Sequence, residues 1–116
     1  MTTFAVTLHL TVEGPDELRR DHFERVTDAY AALEAIDARL LDCSWGYADR
    51  GDHGEIDVDL TVVAKDKASA FELASAAAWS AIHDAGGVTA GRAERLHDPG
   101  QVRYRMTDET VELVLA

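Results

Sequence analysis

Few residues in this chain could do chemistry, and the best-placed set is His9 with Asp57 and Asp59. An imidazole beside two carboxylates can hold a metal or move a proton. His9 sits in a run of alternating apolar and polar residues, between Leu8 and Leu10. Asp57 and Asp59 alternate in another run with Ile56, Val58 and Leu60. If the two runs are neighbouring antiparallel strands, all three side chains share one sheet face with Thr7 and Thr11. Opposite charges across a sheet also serve as plain stabilising pairs, and that reading is adopted.

Three further features carry reactive types. Arg50-Gly51-Asp52-His53-Gly54-Glu55 holds an Arg-Gly-Asp tripeptide and an acidic–His–acidic cluster, both expected at a solvated hairpin tip. Trp79 and His83 lie one helical turn apart near Glu72, as in a partner-binding patch, but the favoured reading has Trp79 roof the groove between the helices. The one cysteine, Cys43, has no second thiol for a disulfide and falls in an apolar run, so it reads as packing. Gly-rich phosphate loops, nucleophile elbows, paired-Cys motifs and zinc-binding His pairs are missing. The expectation is a domain with no catalytic residue, no metal and no cofactor.

The elements that would position these residues follow from periodicity. Phe4, Val6, Leu8, Leu10 and Val12 alternate with polar or small residues, a strand that stops at Gly14-Pro15, with Asp16 as the expected helix cap. Phe23, Val26, Tyr30, Leu33, Ile36 and Leu40 recur at steps of three and four, one stripe of a helix of about six turns. Leu41, Cys43, Trp45 and Tyr47 alternate, as do residues 56–64, around a Gly-rich turn, which predicts a hairpin. Asp66 caps an alanine-rich second helix that ends at Gly86-Gly87. In the tail, residues 88–96 alternate weakly, Asp98-Pro99-Gly100 is a turn, and Val102, Tyr104 and Met106 alternate. Val111, Leu113 and Leu115 alternate again after Thr107-Asp108-Glu109.

Strand, helix, hairpin, helix, strand is the split βαβ order. It predicts that residues 1–116 form a single α+β domain resembling the ferredoxin-like βαββαβ two-layer sandwich. The antiparallel sheet would have order 4-1-3-2, with two helices on one face and an extra C-terminal hairpin. The junction at Gly14 between the first strand and first helix resembles ACT domains. That resemblance implies an amino-acid-binding site at the junction, with Gly14 as its glycine.

Composition narrows the function further. Hydrophobic residues make up 47% of the chain, which suits a packed core, and no run approaches the ~20 apolar residues of a membrane helix. The first ten residues lack the pattern of a secretory signal, so a cytoplasmic protein is expected. The formal charge of −11 repels phosphate backbones and argues against nucleic acid as a partner, although Arg92, Arg95, Arg103 and Arg105 cluster late in the chain. The favoured reading is a non-catalytic interaction module that forms a homodimer or docks a protein partner. The alternative is a small-molecule-binding domain, either ACT-like at the Gly14 junction or of the dimeric α/β-barrel type. In the barrel, two open sheet faces enclose a ligand near His9, Asp57 and Asp59. The open face has too few apolar residues to line such a cavity, and this tilts the choice to the module.

Overall fold

In a computed structural model the protein is described over residues 1–86, 88–89 and 102–114. Arg92, Arg95, Leu115, the alternating residues 90–96 and the turn at Asp98-Pro99-Gly100 lie outside the described residues. The elements in chain order are β1 (Thr2–Glu13), α1 (Asp16–Ile36), β2 (Leu40–Asp49), β3 (Gly54–Ala64), α2 (Lys67–Asp84), β4 (Val88–Thr89) and β5 (Arg103–Leu113).

The architecture is α+β. Four antiparallel strands in order β2-β3-β1-β5 make the sheet, with the two-residue β4 added parallel to β5 at the edge. The alternation seen in the sequence decides which sheet face is covered. Val6, Leu8 and Leu10 of β1 and Ile56, Val58 and Leu60 of β3 are buried, in one core with Val26, Tyr30, Ala74 and Ile82 of the two helices. The intervening residues Thr7, His9, Asp57 and Asp59 face away from the helices. Among the described residues, no helix is long and apolar enough to cross a membrane.

Two features of the sheet differ from expectation. The order 4-1-3-2 describes the four antiparallel strands only if β5 is taken as the fourth; β4, the fourth along the chain, adds a fifth place at the sheet edge, so the full order is β2-β3-β1-β5-β4. Two residues cannot satisfy the hydrogen-bonding edge of a twelve-residue strand, whereas β5 pairs with β1 from Glu13 back to Phe4. Nor do the described residues contain a C-terminal hairpin. Thr107-Asp108-Glu109, expected as its turn, lies inside β5, where Leu10 pairs with Met106 and His9 with Asp108. Thr107 is the extra residue of a β-bulge, and its hydroxyl donates to the His9 carbonyl at 3.1 Å. A bulge tolerates turn-forming residues without ending the strand.

A second bulge shifts the start of β2. Leu40 pairs with Val62 and Asp42 with Thr61, so Leu41 is left over and half-exposed while Leu40 takes the buried position. Cys43, Trp45 and Tyr47 then follow on the helix-covered side, opposite Leu60, Val58 and Ile56. At the start of α1, Asp16 is not the cap. Pro15 holds that position without a side-chain hydrogen bond, and the Asp16 carboxylate instead accepts from Arg19 at 3.0 Å. Asp66 does cap α2, accepting from the Ser69 backbone N–H at 2.8 Å.

Candidate functional site

The antiparallel register of β1 and β3 sets His9 opposite Asp57 and Thr7 opposite Asp59. His9 Nδ1 makes a hydrogen bond with Asp57 Oδ1. The Thr7 hydroxyl donates to Asp59 Oδ1 at 2.8 Å. The three residues singled out from the sequence thus share a face but divide into two separate pairs, because Asp59 stands one pleat further along and turns to Thr7. Among the described residues, no three His, Cys, Asp or Glu side chains are placed to hold a metal ion. Beside the His9–Asp57 pair lies a depression of about 310 Å³, lined also by Thr11, Glu55, Thr107 and Asp108.

Pairing across the sheet collects charge on this open face. Asp42, Glu55, Asp57, Asp59, Asp108 and Glu112 all stand on it and are exposed. Among the described residues, β5 adds Arg103 and Arg105 to this face, where they pair with Glu13 and Thr11 at the end of β1. Arg103 is committed there, donating to Glu13 at 2.8 Å and holding that carboxyl below its ordinary value.

The other sequence candidates lie elsewhere. Gly14 sits five residues beyond His9 with φ of 142°, a conformation that side-chain-bearing residues rarely adopt, so the junction needs a glycine for backbone reasons alone. Trp79 is partly buried against the core and roofs it, whereas His83 and Glu72 are exposed on the same helix. In the hairpin loop, Arg50 pairs with Glu55 at 2.9 Å and His53 with Asp52 at 2.6 Å. Cys43 is half-buried, and burial pushes its thiol up to about 11, which leaves it protonated and weakly nucleophilic at neutral pH.

Sequence reasoning missed a second cluster, beneath the first turns of α1. Arg19 is 1% exposed and His22 is 2% exposed. One guanidinium nitrogen of Arg19 donates to Asp16 and to the Gly51 carbonyl, both at 3.0 Å, and approaches Asp49 at 3.6 Å. Among the described residues, its Nε and its other terminal nitrogen find no hydrogen-bond partner. The Asp49 carboxyl is held down at about 2, first by the Gly51 N–H and then by Arg20. His22 Nδ1 shares a 2.7 Å hydrogen bond with the fully buried Tyr104 hydroxyl of β5.

Burial, assisted by the charge of Arg25, pushes His22 below its usual pKa. The nearby Ala85 carbonyl favours protonation but makes no hydrogen bond of proper geometry to Nε2. Burial likewise raises Tyr104. Gly54 is required here for space: a Cβ would lie 2.7 Å from the Tyr47 ring and from Val12. The missed signal was spacing. Positions 19, 22, 26, 30 and 33 form one continuous helical stripe, whose first two members are polar.

No protein-family model matches the chain, and no curated protein matches it. Among solved structures the chain is similar to the de novo designed protein Foldit4. The identity is 15% and the TM-score 0.43, over 91% of this chain and 97% of that one. A likeness this loose has no bearing on function.

Proposed function

We propose that the protein is a non-catalytic interaction module, whose open sheet face docks a basic segment of a protein partner. The observation that carries this reading is the set of six exposed carboxylates on that face, three of which, Glu55, Asp57 and Asp108, line the depression beside His9. Such a field attracts arginine- and lysine-rich chains, speeds their encounter and repels nucleic acid. The same charges argue against the barrel type of dimer, since two copies packed face to face would press carboxylate against carboxylate. In this reading residues 1–116 work as one ferredoxin-like domain in the cytoplasm, and the half-buried, protonated Cys43 suits a reducing compartment as an inert packing residue.

Fluorescence anisotropy with a short arginine-rich peptide tests the reading. Binding should weaken steeply with added salt. The double substitution Asp57→Asn, Asp59→Asn should weaken it by about tenfold, or ~1.4 kcal/mol, while Glu17→Gln on α1 leaves it unchanged. Equal affinity in the wild type and the double variant would refute the docking face.

A further inference from the structure

The helix-covered side of the molecule carries a second surface of opposite character. Between the last turn of α1, the start of β2 and the outer stripe of α2 runs a groove of about 340 Å³, lined by Leu33, Ile36, Leu40, Leu73, Ala76 and Ala77. Ile36 is 83% exposed on its edge. Two opposite charges mark the rim, Asp37 and Arg39, and they are locked together: Arg39 donates to Asp37 from Nε at 3.0 Å and from a terminal nitrogen at 2.8 Å. The groove is therefore apolar and locally neutral in a chain whose formal charge is −11.

We propose that this groove is where a second copy of the chain binds, forming a two-fold dimer. Two observations favour that occupant over a basic partner. The groove's lining offers no uncompensated carboxylate, so two copies of a −11 chain can meet on it without setting carboxylate against carboxylate. It is also self-complementary: one rim projects the isoleucine knob, while the α2 side is a hollow of small residues, Ala76 and Ala77, beside Ser80. A two-fold axis seats each Ile36 in the other hollow, as an isologous interface requires. This surface shares no residue with the carboxylate face, and the dimer stands or falls independently of peptide docking.

Sedimentation equilibrium of the full chain, from low to high micromolar concentration, tests the proposal. The weight-average mass should climb from 12.7 kDa towards twice that value. A patch this small predicts a weak, reversible dimer rather than an obligate one. Because apolar contact drives it, added salt should hold or strengthen association by screening the net charge, the reverse of peptide docking. Ile36→Ser removes the knob and Ala76→Gln fills the hollow. Both are neutral changes at exposed positions, and each should raise the dissociation constant at least tenfold, with circular dichroism confirming that both variants fold. A wild-type chain that stays monomeric throughout, or a dimer that survives in either variant, overturns the proposal.

Discussion

At its first turns α1 buries a guanidinium and an imidazole, and at its last turn it leaves an isoleucine in solvent. Arg19 and His22 lie over the end of the sheet where Tyr104 of β5 presents a hydroxyl inward and the Gly51 carbonyl faces the helix. Apolar residues at positions 19 and 22 would leave those groups unpaired, which costs more than placing polar side chains against them. Ile36 occupies the same helical stripe fourteen residues after His22, but there the helix ends beside the groove and, among the described residues, nothing covers the side chain, which is 83% exposed. Helical spacing predicts direction, while the neighbouring element decides whether that direction is inside.

The polar end should be the costlier one to disturb. Arg19→Ala removes a packed aliphatic stem together with two hydrogen bonds, a loss of about 3 kcal/mol in urea unfolding. Arg19→Met keeps the stem and should cost about half as much, separating packing from the hydrogen bonds. If Arg19→Ala changes stability by less than about 0.5 kcal/mol, the level of an ordinary surface substitution, then Arg19 is not the anchor of this end.

Most of the element order could be read in the sequence, because burial in this chain follows apolar periodicity closely. β1, β3 and the inner stripe of α2 alternate or recur as their buried residues do. The proximity of His9 to Asp57 likewise follows from alternation, given that β1 and β3 are antiparallel neighbours. The misses have physical causes. The bulges at Leu41 and Thr107 insert single residues, and a one-residue slip is visible only against the partner strand. Arg19 and His22 were passed over because charged and polar types on a buried stripe become sensible only once Asp16, Gly51 and Tyr104 are seen beneath them. The division of Asp59 from His9 depends on Thr7, whose hydroxyl captures it.

His22 offers a gentler way to break the polar end, through pH. Its folded pKa is lowered by burial, whereas in the unfolded chain it titrates near ~6.5. Below that pH the unfolded state takes up a proton that the native state binds less readily, so stability is intact above ~6.5 and falls as pH drops through and below it. The slope for one such proton reaches at most ~1.4 kcal/mol per pH unit. Carboxylates with lowered values, such as Glu13 and Asp66, act in a more acidic window and leave this one clear. Urea unfolding between pH 7 and 5 should show a steeper loss for the wild type than for His22→Gln. Parallel curves would mean that His22 is solvated in the folded chain, and the contrast between the two ends of α1 would collapse.

The smallest expected effect belongs to the other end. In dilute solution, where chains are monomeric, Ile36→Ala should change unfolding free energy by less than about 0.5 kcal/mol. Truncating a buried residue such as Leu60, 2% exposed, should by contrast cost about 2–5 kcal/mol. The sign can even turn favourable, because alanine has the better helix propensity by a few tenths of a kcal/mol and loses no packing at an exposed position. A near-zero cost is the informative result: a large apolar side chain that contributes nothing to the stability of the monomer has its apolar surface free for another molecule. A loss of 2 kcal/mol or more in dilute solution would place Ile36 in the core of its own chain, and the groove would then have no knob to offer a second copy.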